Sequence, residues 1–152
     1  MTVALGIVLL FSMFGCDGDS SDPRPVHPPT SEELLIGCWD VEMSWQNGDT
    51  LYFPDRQSLW AFSINYNMCI IEKRPDGTYG LDSSETYALS DSLLTICFSP
   101  QDIWKLRFGF SAGGDTLHLE LADPGNGETA GVLFTKDDQF PASDYCGFEV
   151  SE

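Results

Sequence analysis

The chain has 152 residues, of which 24 are Asp or Glu and only 7 are Lys or Arg, giving a formal net charge of −17 at pH 7. This charge excludes nucleic acid as a partner, because phosphate binding needs clustered Lys and Arg. The length predicts one domain rather than two, and a hydrophobic content of 42% is enough for a sizeable core. The acidic surface favours solubility, and it would also attract a cationic protein partner.

The chain opens with an apolar run, VALGIVLLFSMF, that ends at Gly15-Cys16. Twelve residues are too few to cross a bilayer as a helix, but they fit the apolar region of a signal peptide. With Met13 and Gly15 before the cysteine, the segment resembles a bacterial lipoprotein signal. This resemblance implies that residues 1–15 are removed, and that lipid on Cys16 anchors the protein to a membrane of the bacterial cell envelope. The alternative is an ordinary cleaved signal with an incidental cysteine.

Residues 16–33 are predicted to form the lipid anchor and a disordered tether. The segment reads DGDSSDPRPVHPPTSEE after the cysteine, and four of the nine prolines lie between Pro23 and Pro29. Polar, Pro-rich segments are extended and have no core. We therefore expect a folded domain over residues 34–152, held off the membrane on its periplasmic face or at the cell surface.

The remainder of the chain alternates with a period of two, as strands with one buried face do. The first strand is predicted to place four side chains on one face: Trp39, Val41, Met43 and Trp45. The strands are predicted at about 38–45, 58–64, 67–73, 85–89, 93–98, 103–110, 116–121 and 131–136. Turn sequences such as RPDG and AGGD separate them. This pattern predicts an all-β fold, an eight-stranded antiparallel up-and-down barrel that closes its own edges, and we expect a monomer.

A Gly-x-Trp motif at Gly37 and Trp39 begins the first strand. The segments ELLIGCWDV, LWAFSI and TYALSDSLLTICF resemble the lipocalin-like domains of small bacterial lipoproteins, over residues 33–137. In lipocalins the motif tryptophan lies across the closed end of the barrel, beneath a basic side chain from the last strand. The resemblance thus implies that Lys136 covers Trp39, although the family usually has Arg there. It also implies a cup that takes a small hydrophobic molecule.

Such a barrel could contain either an open cavity or a filled core. Both stay possible because eight strands enclose a space that side chains alone can fill. For a cavity, the predicted mouth is rimmed by the 65–67 turn and by residues near Trp60 and Trp104. The candidate ligand-binding residues are Trp60, Phe62, Tyr66, Met68, Trp104 and Phe108.

Residues that could carry chemistry are scarce. His118 and Glu120 share the outer face of a strand, which is an incomplete metal site and is typical of a solvated pair. No hydrolase, zinc-protease or phosphate-binding motif occurs. We therefore expect that the protein has no enzymatic activity and binds no metal or cofactor. Two functions stay open, a barrel that binds a small hydrophobic ligand and a filled barrel that docks or inhibits a cationic protein in the envelope.

Four cysteines remain once Cys16 is assigned to the lipid, and an oxidising compartment favours disulfides between them. The first and last strands of a closed barrel are neighbours, so Cys38 is predicted to pair with Cys146. By default Cys69 then pairs with Cys97. In a strict meander another strand separates these two, about 9–10 Å apart, which exceeds the reach of a disulfide. Either the intervening strand is displaced or both thiols stay free.

Overall fold

The computed structural model describes residues 28–122 and 127–150. Cys16, the predicted signal peptide and most of the predicted tether lie outside the described residues. Neither of the two helices in the described part of the chain is long and apolar enough to cross a membrane. In chain order the elements are α1 (Ser31–Leu35), β1 (Gly37–Gln46), β2 (Asp49–Tyr52), β3 (Ser58–Phe62), β4 (Asn67–Lys73), β5 (Tyr79–Ser90), β6 (Leu93–Ser99), β7 (Asp102–Phe110), β8 (Thr116–Leu121), β9 (Ala130–Lys136) and α2 (Ser143–Cys146).

Eight of the strands close into an antiparallel barrel. Strands β3 to β9 form a meander, and β1 pairs with both β3 and β9 to complete the ring. The predicted eight-stranded antiparallel barrel is therefore confirmed. The additional strand, β2, pairs with residues 43–46 of β1 and forms a hairpin at one end of the barrel. Strand β5 begins six residues before its predicted start, because the polar sequence GLDSS hides the alternation while the backbone still pairs with β4.

A β-bulge in β1 reverses the alternation that its sequence predicts. Val41 lies opposite Phe134, but the next pair along the ladder is Met43 with Leu133. Phe134 belongs to the barrel core, and an extra residue in one strand turns the following side chains to the other face. The prediction of one inward face is therefore wrong for the last two residues of the set Trp39, Val41, Met43 and Trp45.

The bulge has consequences on both faces of β1. Ser44 and Gln46 now share the inner face with their partners on β9, Val132 and Ala130. Trp45 lies on the outer face, where its ring covers Gly131 so closely that a Cβ there would collide with it. The Trp45 ring is stacked on the His118 ring, with the centroids 5.1 Å apart, and His118 Nε2 lies 3.4 Å from a Glu120 oxygen.

Helix α1 closes one end of the barrel. Thr30 caps the helix by accepting from the Glu33 backbone N–H, and the Glu33 side chain accepts from the Thr30 backbone N–H in return. Such a capping box stabilises the start of a helix too short to form alone. The helix buries Leu35 completely, and the Leu35 carbonyl accepts from the Trp39 indole N–H at 2.8 Å. This hydrogen bond joins β1 to α1, and together α1 and Trp39 form a plug at the closed end.

Trp39 is completely buried at this closed end. The Lys136 Nζ atom lies 5.6 Å from the centroid of the Trp39 ring, within the range of a cation–π interaction. Gly37 has a φ of +133°, and a Cβ at that position would lie 3.2 Å from Cε of Lys136. Glycine therefore allows both the backbone turn into β1 and the close approach of the lysine.

The disulfide pairing differs from the prediction. The bond joins Cys69 to Cys146, whose Cα atoms lie 5.7 Å apart. Cys38 is a buried free thiol and Cys97 is an exposed one. The predicted pairs Cys38–Cys146 and Cys69–Cys97 are therefore both wrong.

The path of the C-terminal tail, residues 137–150, explains the pairing. Cys38, Ala61 and Cys69 stand side by side on the outer faces of β1, β3 and β4. The tail packs over this row, and α2 lies against β4 and β5. It thus carries Cys146 two strands beyond Cys38. Desolvation beneath the tail raises the pKa of the Cys38 thiol to about 12.

Candidate functional site

The two ends of the barrel carry different elements. Strand directions place the 63–66 turn beside α1, at the closed end, and place the start of β7 at the opposite end. The Glu32 carboxylate on α1 raises the pKa of the Tyr66 phenol through a side-chain hydrogen bond. The predicted rim is therefore wrong in setting the 65–67 turn beside Trp104. Three antiparallel strands, β4, β5 and β6, lie between them in the chain, so the turn and Trp104 are at opposite ends of the barrel.

A cavity of about 490 Å³ occupies the open end of the barrel. This volume lies in the range of small-molecule sites. Its wall is mostly apolar and comes from β1, β3, β7, β8 and β9. The lining residues are Ser44, Trp45, Gln46, Trp60, Trp104, Leu106, Leu119, Leu121, Ala130, Gly131 and Val132.

The half of the barrel next to α1 is filled with side chains. Phe62 and Met68 are completely buried there, and Phe62 meets the Tyr87 ring edge-on, with the centroids 5.3 Å apart. The Tyr87 hydroxyl donates to the Ser63 carbonyl at 2.6 Å, and burial raises the pKa of this phenol. The interior thus combines both predicted alternatives, a filled core at the closed end and a cavity at the open end.

The predicted ligand-binding residues divide between these regions. Trp60 and Trp104 line the cavity, whereas Phe62 and Met68 belong to the filled core. Phe108 is partly buried and packs against that core beside Phe110. The sixth predicted residue, Tyr66, lies at the closed end, where its ring contacts Tyr87.

Apolar groups surround the mouth of the cavity. Trp104 is 41% exposed, and its indole N–H donates to an Asp102 oxygen at 2.9 Å. The Phe98 ring supports it from the next strand, with the centroids 4.9 Å apart. Leu51 on β2 is 60% exposed and shares the inner face of the hairpin with its partner Ser44. A ligand would therefore meet apolar surface before it enters the cavity.

The polar part of the cavity wall was missed at the sequence level. Ser44 and Gln46 alternate with apolar residues in WDVEMSWQ, and a regular strand would have turned them to solvent. The bulge that brings them inside has no distinct signature in the sequence. The register with β9 is what reveals it.

A separate acidic cleft of about 350 Å³ lies on the outer face of β1. Asp40 is buried there and accepts from the Arg56 backbone N–H at 2.8 Å. Desolvation raises its pKa to about 6, aided by the nearby charges of Asp55 and Glu42. Arg56 in turn donates to Asp137 at 2.6 Å. Among the described residues no group of His, Cys, Asp or Glu side chains has the geometry to hold a metal ion.

Comparison with solved structures supports the fold. A lipocalin-like protein from Bacteroides uniformis ATCC 8492 matches this chain with a TM-score of 0.54 and 15% sequence identity. The match covers 68% of this chain and 99% of that chain. No family model and no curated protein matches the sequence. The chain therefore has a lipocalin-like fold, which confirms the resemblance seen in the sequence.

Proposed function

We propose that this protein binds a small, largely apolar molecule in the open half of its barrel. The observation that carries the proposal is the cavity of about 490 Å³, which opens at one end while α1 and Trp39 close the other. Binding there would remove apolar ligand surface from water against Leu106, Leu119 and Val132, and this removal is the main driving force for such sites. The exposed Trp104 ring offers further contact area at the mouth.

Titration of the purified protein with an environment-sensitive apolar dye tests this proposal. We expect saturable binding with a blue-shifted dye emission, and an affinity about tenfold weaker for Trp104→Ala, because that change removes one side of the mouth. Ile103→Ala is the matched control, since Ile103 is 48% exposed on the outer face of the same strand. It should bind the dye as the wild type does. Flat titrations would contradict the proposal and favour a filled barrel that docks a cationic partner.

We further propose that lipid on Cys16 anchors the protein to a membrane of the cell envelope. The chain enters the barrel through α1, at the closed end. An anchor on Cys16 would therefore join the folded domain at this end, opposite the cavity mouth. The solvent-facing mouth would then meet its ligand in the aqueous compartment.

Replacing the cysteine tests the anchor directly. Cys16→Ser should move the protein from the membrane fraction to the soluble fraction with its barrel still folded, because no acyl chain remains to hold it. Cys97→Ser removes an exposed thiol elsewhere and should leave the protein on the membrane. A Cys16→Ser protein that stays on the membrane, together with a wild type of unlipidated mass, would rule out the anchor.

A further inference from the structure

The cavity wall carries no charged side chain among the described residues. Apart from the indole N–H groups of its tryptophans, its polar side chains are those of Ser44 and Gln46 on β1. We infer that the cavity selects an uncharged ligand that has an apolar body and one hydrogen-bonding group, such as an amide or a hydroxyl. Ser44 and Gln46 are the residues that determine this specificity. The inference rests on the proposed function, and it adds the chemical class of the ligand.

The β1 bulge places both polar side chains on the cavity wall. Ser44 pairs with Val132 and Gln46 with Ala130, so the two lie on the same face, about 7 Å apart along the strand. Ser44 is partly buried and Gln46 stands at the exposed rim. Neither side chain makes a hydrogen bond within the described residues. The hydroxyl and the amide therefore keep donors and acceptors for a ligand.

The rest of the wall suits an apolar body. Leu106 is buried deep on β7 and Leu119 deep on β8. The Trp60 ring is held edge-on against Phe134, with the centroids 5.2 Å apart. A flexible chain or a flat ring bound there would put its polar end near Gln46, at the rim. The wall thus has an apolar interior and one polar edge.

A carboxylate ligand would find no counter-ion on this wall. The Arg74 guanidinium lies against Gly80 on the inner face of the β4–β5 hairpin, and Lys136 lies over Trp39 at the closed end. Neither residue lines the cavity. Strand β5 contributes no residue to the described cavity wall. A buried, unpaired charge is strongly disfavoured, and the net charge of −17 repels anions before they arrive.

A cationic ligand would likewise lack a carboxylate within the described wall. Asp102 stands at the mouth, but one of its oxygens accepts from the Trp104 indole N–H. The overall negative charge would attract a cation to the surface without giving it a partner inside. The interior therefore favours a neutral molecule over either ion.

Three probes with one chain length separate these classes. Dodecanamide, dodecanoate and dodecylammonium, each below its micelle concentration at pH 7.4, would compete with the apolar dye on the full protein. We expect dodecanamide to bind at least about tenfold more tightly than either ion, because only the ions lose charge hydration. Gln46→Leu should weaken dodecanamide by about fivefold or more, and by a larger factor than it weakens the dye. Gln101→Leu, the same change at an exposed position of the same end, should alter neither.

The outcomes distinguish this inference from the proposed function. Dye binding together with equal or tighter binding of dodecanoate or dodecylammonium would overturn the inference and leave the cavity as a binding site. Failure of all three probes to displace a bound dye would overturn it as well. An unchanged dodecanamide affinity in Gln46→Leu would remove Gln46 from its specificity role. Absence of all binding, the dye included, would contradict the proposed function itself.

Discussion

Trp39→Ala should lower the free energy of unfolding by about 3–5 kcal/mol, the usual cost of removing a fully buried tryptophan. The substitution removes three contacts of the tryptophan ring. The Leu35 carbonyl loses the indole donor, the Lys136 ammonium loses the aromatic face, and the Phe110 ring loses a neighbour whose centroid lies 5.9 Å away. Helix α1 would then be held over the closed end by its other contacts, such as the buried Leu35 side chain. Urea denaturation followed by circular dichroism measures the loss.

A second tryptophan provides the control for this prediction. Trp104→Ala removes the same side chain from the exposed mouth, and it should cost less than about 1 kcal/mol. Equal losses in the two variants, or a loss below about 1 kcal/mol for Trp39→Ala, would contradict a plug of α1 and Trp39 at the closed end.

Removal of the disulfide should also cost about 2–5 kcal/mol. The two cysteines are 77 residues apart in the chain, and a crosslink over such a long loop restricts the unfolded chain strongly. The double variant Cys69→Ala/Cys146→Ala is the suitable test, because a single change would leave an unpaired thiol beneath the tail. Thermal denaturation without reductant gives the comparison.

Two observations check that the effect comes from the tail. Cys97→Ala changes a free, exposed thiol and should leave the melting temperature unchanged. Limited proteolysis of the double variant should cut first within residues 137–150, since only non-covalent contacts, such as the packing of Phe140 and Val150, then hold the tail. A double variant that melts with the wild type would show that the tail does not need its covalent link.

The alternation of apolar and polar residues was sufficient to predict the barrel, and the resemblance to lipocalin-like domains predicted its closed end. A strand such as TLHLEL buries one face, and this regularity needs no knowledge of the partner strand. The Gly-x-Trp motif located the start of β1, and the sequence of β9 placed Lys136 at the same end. These features depend on neighbouring residues within one strand or one turn.

The features that could not be predicted depend on contacts between distant segments. The bulge in β1 appears only in its ladder with β9, and it decides whether the side chain of Trp45 or that of Gln46 lies on the inner face of the strand. The partner of Cys146 depends on how far the tail travels across the outer face. Local sequence patterns do not contain this information. The end at which Tyr66 lies is different, because the alternating directions of the predicted meander strands were sufficient to place it.

Chemical-shift mapping would test most directly whether the open half of the barrel is the binding site. Amide spectra of ¹⁵N-labelled protein would be recorded while dodecanamide is added. We predict that the shifted amides cluster at Ser44, Gln46, Leu106 and Leu119, with those of α1 and the 63–66 turn unchanged. Shifts confined to the closed end or to the acidic cleft around Asp40, or no shift at saturating ligand, would contradict a binding cavity at the open end.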